Sequence, residues 1–118
     1  KQNFILLDRE SIADVRSRLR RQKSPGVVVI DSLQYTGITY AEYRKLKNEF
    51  PRKLFIFISH SEGREPAGRV AKAVRYDANI TIRVEGFRAF CNGRYGGGET
   101  FVVWDEGSIK YWQENEND

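Results

Sequence analysis

The sequence predicts an α/β fold in three layers: a mostly parallel sheet with helices on both faces, extended at its C-terminal end by an antiparallel hairpin. Three observations carry this expectation. Two uninterrupted apolar runs, "GVVVID" at 26–31 and "KLFIFIS" at 53–59, have the pattern of strands buried on both faces of a parallel sheet. Stretches with helical apolar stripes separate these runs, and strands that alternate with helices build parallel sheets. After Asp77 the pattern changes to a two-residue alternation, the mark of a strand with one wetter face.

The elements follow in order. "NFILLD" (Asn3 to Asp8) is a short apolar run expected as a buried strand. Ser11-x-x-Asp14 then opens a helix, because the serine hydroxyl can accept from an N–H that the first helical turn leaves without a partner. Ile12, Val15 and Leu19 set its apolar stripe over Ser11 to Lys23, and Pro25-Gly26 ends it. "GVVVIDS" is the first doubly buried strand. Thr39-x-x-Glu42 is a second capping box, Tyr40, Tyr43, Leu46 and Phe50 carry the next stripe, and Pro51 stops it. Lys53 to His60 is the second doubly buried strand. Pro66 suits a first helical turn, and Ala67, Val70, Ala71 and Val74 mark a short third helix.

"NITIRVE" places Ile80, Ile82 and Val84 on one face of a strand and Thr81, Arg83 and Glu85 on the other. "FRAFCN" and "TFVVWD" are two further strands around a glycine-rich loop, and a turn at Glu106-Gly107 leads to "IKYW". No repeat or linker interrupts this order, so a single domain over 1–118 is expected, with an acidic tail over 113–118.

Bulk composition narrows the function classes. An apolar content of 40% and a charged content of 31% are those of a globular protein. No apolar run reaches membrane-spanning length, and the basic start has no signal-peptide core, so no membrane partner is expected. Cys91 is the only cysteine and cannot pair within the chain, which points to a reducing, cytoplasmic setting. One histidine and one cysteine do not make a structural zinc site. The net charge of +4 fits an anionic partner. The simpler reading of Arg16, Arg18, Arg20, Arg21 and Lys23 is a solvated helix face. No methionine occurs, so a piece of a longer polypeptide is expected, with further motifs upstream.

In open α/β sheets, ligands bind beyond the carboxyl ends of the parallel strands. Asp31 and His60 both fall there. An aspartate ending an apolar strand can hold Mg²⁺, usually through water, and a histidine at the next strand's end can sense a γ-phosphate. Each has a plain alternative, Asp31 as the cap of a turn and His60 as a satisfied loop residue. Their equivalent positions on two strands are what suggest a site. The loop "NGRYGGGE" (Asn92 to Glu99) is either a flexible hairpin or a mount for Arg94, which could reach a phosphate on a neighbouring subunit. Gly63-x-x-x-x-Gly68 has the spacing of a phosphate-binding loop, but Arg69 and Val70 stand where that motif has lysine and a hydroxyl residue. The stretch is better read as the exit from the second strand, with Glu62, Arg64 and Arg69 available to a nucleotide edge or a DNA strand.

Taken together, these residues resemble the C-terminal part of a RecA-like P-loop ATPase core, in the branch of the RadA/Sms proteins and the DnaB helicases. "VVVIDSLQY" resembles that group's Walker B strand, and "FISHSEG" the next strand with its sensor position at His60. "YDANITIRVEG" resembles the segment after the third helix, and "NGRYGGGETFVVW" the loop that reads Lys-Asn-Arg-Phe-Gly in the RadA branch and carries trans-acting basic residues. The resemblance runs from about Asn3 to Trp112.

The resemblance implies an intact parent that uses ATP and Mg²⁺, with Asp31 and Ser32 at the nucleotide and Asp31 serving the metal through water. It implies His60 as sensor and Arg94 as finger, the two catalytic positions. It implies ATP-dependent DNA repair, recombination or helicase-type movement, with single-stranded DNA as the favoured partner. It further implies self-association or union with a missing N-terminal half. The departures are specific. No G-x-x-x-x-G-K-[ST] precedes the Walker B-like strand, the group's catalytic glutamate is missing, and Asn92 replaces the finger-loop lysine. The chain alone is therefore expected to be inactive and to bind no nucleotide tightly.

In such sheets the P-loop strand lies between the strands corresponding to 53–60 and 79–85. Without it, those two are expected to pair directly or to take a strand from another molecule, because an unpaired edge inside a sheet is costly. The alternative function is a non-catalytic RecA-fold module for nucleic-acid binding or assembly. There Arg88 and Arg94, with Phe87, Phe90 and Tyr95, would act by charge and stacking; Arg64, Arg69 and Arg88 are the candidate nucleic-acid contacts. The same aromatics read more simply as strand core. An unrelated hydrolytic α/β enzyme has no support, since no G-x-S-x-G elbow is present.

Overall fold

The computed structural model describes residues 4–93 and 97–116. They form a mixed α/β structure that divides into two compact units, Lys1–Val74 and Arg75–Asp118.

In the first unit, helix α1 (Ile12–Leu19) starts at the expected cap, where Ser11 Oγ accepts from the Asp14 N–H at 3.1 Å. It stops before Lys23, because Ser24 Oγ donates to the Leu19 carbonyl at 2.8 Å and closes the helix end ahead of Pro25. Strand β1 (Val27–Asp31) leads to the short helix α2 (Leu33–Thr36), and Gly37, at φ 64°, turns the chain out of it. Helix α3 (Tyr40–Glu49) has a complete capping box: Thr39 Oγ1 accepts from the Glu42 N–H at 3.1 Å, and the Thr39 N–H donates to Glu42 Oε1 at 3.0 Å. Strand β2 (Leu54–Ile58) then pairs parallel to β1, in a register that runs from Val27↔Leu54 to Asp31↔Ile58. Two-residue strands β3 (Ser61–Glu62) and β4 (Glu65–Pro66) form a small antiparallel turn before helix α4 (Arg69–Asp77). Pro66 thus belongs to β4, not to a first helical turn, and Gly68, at φ 88°, precedes the helix instead.

The core of this unit joins Ile12, Leu19, Ile30, Leu33, Ile38, Tyr43, Leu46, Phe50, Ala71 and Val74, with Val28, Phe55 and Phe57 packed against them. Tyr43 meets Phe57 edge-on at 5.2 Å, and Phe55 stacks on Phe57 at 5.9 Å. These contacts use one face of the β1–β2 sheet. The other face, with Val27, Val29, Leu54, Ile56 and Ile58, is exposed. Among the described residues the parallel sheet therefore has two strands and one covered face, where the apolar runs predict a larger sheet covered on both. A continuous apolar run states what a strand is able to bury, not whether a second layer arrives. The run at Phe4–Leu7, expected as a strand, is coil, and all four side chains are exposed. Strand propensity needs a ladder partner to become a strand, and this segment has none among the described residues.

An ion-pair cluster ties α1 to α3. Glu49 accepts from Arg20 Nε at 2.5 Å and Nη2 at 3.1 Å, and from Arg16 Nη2 at 3.1 Å. The hydrogen bond from Arg20, and then that from Arg16, hold the Glu49 carboxyl below its ordinary value of 4.5. A carboxyl whose folded-state pKa is depressed stabilises the fold above the unfolded value and loses that contribution as pH falls through the folded value. Denaturant melts taken from neutral pH downward should therefore show wild-type stability declining below about pH 4.5, with a shallower decline in Glu49→Gln. Equal slopes for the two proteins would show that the cluster does not contribute.

The second unit is built on the antiparallel sheet β5 (Ile80–Glu85), β6 (Arg88–Gly93) and β7 (Thr100–Val102), in that spatial order. Gly86 and Phe87, at φ 55° and 62°, make a two-residue turn of the kind that matches strand twist. Phe87 is held in this unusual conformation by edge-on packing against Trp104 at 5.0 Å. Helix α5 (Asp105–Glu114) occupies the stretch where a turn at Glu106-Gly107 is expected to lead to "IKYW", and it reaches into the expected acidic tail. Asp105 and Glu106 in its first turn complement the helix dipole. Gly107 is a packing glycine, not a turn: a Cβ there would lie 2.2 Å from Trp104 Cε3.

The polarity of the sheet is the reverse of that expected for β5. Helix α5 covers the face bearing charges: Tyr111 Oη donates to Glu85 Oε2 at 2.9 Å, and Arg88 Nε donates to Ser108 Oγ at 2.6 Å. Arg83 pairs with Glu85 and lies over the Phe90 ring at 4.3 Å, and Arg88 lies over Trp112 at 5.1 Å. The wet face is the apolar one, with Ile80, Ile82 and Val84 all exposed. Hydrogen-bonding and aromatic partners on α5 make the charged row the better-matched side. Strand β2 pairs with β1 and strand β5 with β6, so the expected direct pairing of β2 with β5 does not occur among the described residues.

Candidate functional site

Asp31 ends β1, and in the parallel register it stands opposite Ile58, the last residue of β2. His60 follows just beyond that strand. Parallel pairing thus brings both residues to the same carboxyl end of the β1–β2 sheet, and both are exposed. Ser32, expected beside Asp31 at a nucleotide, is buried at 2% exposure. Its hydroxyl caps α2 by accepting from the Tyr35 N–H at 3.1 Å, and its carbonyl accepts from Thr36 Oγ1 at 2.9 Å.

The residue that organises this end of the sheet is Gln34, to which the sequence reading assigned no role. Its Nε2 donates to Ser59 Oγ at 2.7 Å and to the Ala67 carbonyl at 2.8 Å, and its Oε1 accepts from the His60 N–H at 3.0 Å. The His60 carbonyl in turn accepts from the Ala67 N–H at 2.8 Å and from Ser59 Oγ at 2.8 Å. One side-chain amide therefore joins the exit of β1 to the exit of β2 and to the start of the segment before α4. An amide suits this place because it donates and accepts at once. The signal was in the sequence, as the glutamine of "IDSLQ", but only the fold supplies its partners.

The remaining candidates are dispersed. Arg64 lies in the exposed turn between β3 and β4, and Arg69 is the exposed first residue of α4. Arg88 belongs to the second unit and is held by Ser108 and Trp112, facing α5. That placement is structural, and it leaves the Arg88 guanidinium less available to a nucleic acid than an exposed arginine. Phe90 is half-buried and packs edge-on against Trp112 at 5.9 Å. Arg94 and Tyr95 lie outside the described residues.

Among the described residues no group of three or more His, Cys, Asp and Glu could hold a metal ion. Asp31 is a single exposed carboxylate, which fits Mg²⁺ only in the way that ion is commonly held, with waters and phosphates as its other ligands. No helix of the described residues is long and apolar enough to cross a membrane. No family model, curated protein or solved structure matches the chain.

Proposed function

We propose that this chain is part of a RecA-like ATPase acting on DNA, in repair, recombination or helicase-type movement, and that its three-layer sheet is completed by a P-loop half. The supporting observation is that Asp31 and His60 both fall at the carboxyl end of two parallel strands, Asp31 opposite Ile58 and His60 two residues beyond it, with Gln34 accepting from the His60 N–H. In this reading Asp31, beside Ser32, holds Mg²⁺ through water, and the metal supplies charge neutralisation for the phosphates. His60 senses the nucleotide, Arg94 acts across an oligomer interface, and Arg64 and Arg69 meet single-stranded DNA. A second reading, a non-catalytic RecA-fold module for nucleic acid or assembly, is favoured by the lack of a G-x-x-x-x-G-K-[ST] motif in the 118 residues.

If the coding sequence upstream of Lys1 supplies a glycine-rich Lys-Ser or Lys-Thr loop, the test is made in that longer polypeptide. Asp31→Asn should lower Mg²⁺-dependent ATP hydrolysis by about 10²–10³-fold while far-UV circular dichroism is unchanged. Unaltered hydrolysis would overturn the Walker B assignment. A coding sequence with a start codon directly before Lys1 would favour the non-catalytic module. That module should bind single-stranded oligonucleotides with an affinity that falls steeply as salt rises.

A further inference from the structure

The three-stranded sheet of the second unit presents one continuous apolar face. Its register sets Ile82 opposite Cys91, Val84 opposite Ala89, and Ala89 opposite Phe101. Directly opposed residues share a face, so Ile80, Ile82, Val84, Ala89, Cys91 and Phe101 lie side by side. The charged residues of the same strands, Arg83, Glu85 and Arg88, are on the opposite face with α5. Exposure on the apolar face is 59% at Ile80, 61% at Ile82, 66% at Val84 and 71% at Phe101.

With about 150–200 Å² for each large side chain, the exposed part is on the order of 500 Å². A patch of that size equals the largest apolar patch of a typical monomer, about 300–600 Å², and such patches are often interaction sites. A pair of such faces would remove about 1,000 Å² from water, the lower bound for a specific interface.

We propose that this face is a dimer interface, covered by the same face of a second copy of the chain. Among the described residues the face carries charge only at its edge, at Glu99, whose carbonyl accepts from the Cys91 N–H at 3.2 Å, and its flat array of β-branched side chains is matched by another like it. A two-fold pairing places each residue of the patch against the patch itself, as closed dimers require. The two sheets then pack about 10 Å apart, with their strands nearly aligned. The inference stands apart from the ATPase reading, since it needs no nucleotide and no phosphate loop.

Cys91, the only cysteine, sits in the middle of the face beside Ile82 and serves as an internal probe. Sedimentation velocity should show the 13.7 kDa chain doubling in mass as its concentration rises. Over the same range the rate at which Cys91 reacts with a disulfide reagent should fall by about tenfold or more, following mass action. Ile82→Thr, which keeps strand propensity, should stay monomeric with a fast-reacting thiol at every concentration, and Ile82→Lys likewise. A chain that remains monomeric throughout overturns the proposal, including the case in which an amphipathic helix of another protein is the natural cover. A dimer that survives Ile82→Thr overturns it too, as does one broken instead by Leu6→Ser or Ile56→Thr in the first unit. Should Ile82→Lys fail to fold, Ile82→Thr and the wild-type thiol kinetics decide.

Discussion

Leu46→Ala should destabilise the first unit by about 2–5 kcal/mol, the largest effect expected of any single truncation in it. Leu46 has 0% exposure, and it sits on α3 one turn from both Tyr43 and Phe50, which pack on the aromatic side chains of β2. Removing its isobutyl group forfeits the burial of several methylenes and leaves a cavity that helices and strand can only partly close. Small domains are stable by only about 5–15 kcal/mol, so much of the margin of this unit would be lost. Both tryptophans, Trp104 and Trp112, lie in the second unit, so urea melts followed by far-UV circular dichroism and by tryptophan fluorescence should separate. The dichroism midpoint should fall while the fluorescence midpoint moves less. Leu46→Met, which conserves volume, should cost less than about 1.5 kcal/mol. A loss under about 1 kcal/mol for the alanine variant would mean that Leu46 is not at the centre of a packed core.

Gly86→Ala should destabilise the second unit by about 2–4 kcal/mol, from overpacking and backbone strain together. The residue has φ 55°, and a Cβ on it would lie 2.2 Å from Tyr111 Cδ1, 2.6 Å from Tyr111 Cε1 and 2.8 Å from Trp112 Nε1. Relief requires α5 to move away from the turn. That movement would break the bond from Tyr111 Oη to Glu85 and the 3.2 Å bond from Trp112 Nε1 to the Gly86 carbonyl. Gly63→Ala is the control, since Gly63 has φ 63° with nothing within 4 Å of the added carbon. It should cost only the left-handed strain, roughly 1–2 kcal/mol. The difference between the two variants measures the steric part, and tryptophan fluorescence should shift only for Gly86→Ala. Equal costs would show that α5 does not press on the turn.

The legible parts of the fold share one property, short range. The caps at Ser11 and Thr39 act across three residues, and both helices begin where those residues place them. The strands at Val27–Asp31 and Leu54–Ile58 follow from their own apolar runs, and their parallel pairing from the helices between them. That pairing is also why Asp31 and His60 were readable as candidates, since both sit at strand ends. Gln34 was not readable in the same way, because its partners, Ser59, His60 and Ala67, are distant in sequence. Helix α5 was misread at Gly107, where the absence of a side chain makes room for Trp104 and does not mark a turn.

Local patterns in the chain placed the starts of α1 and α3, the apolar runs, and one aspartate and one histidine at or just beyond the ends of two strands. Which apolar faces are covered depends on contacts between segments distant in sequence. Phe4–Leu7, one face of the β1–β2 sheet and the Ile80–Val84 face of the second sheet carry the pattern of buried surface and stand in solvent. The charged face of β5 carries the pattern of exposed surface and lies under α5, satisfied by Tyr111 and the aromatic rings. A pattern within one segment specifies only a two-sided difference. Burial is a relation between segments, and it goes to the side whose partner best matches its hydrogen bonds and its shape.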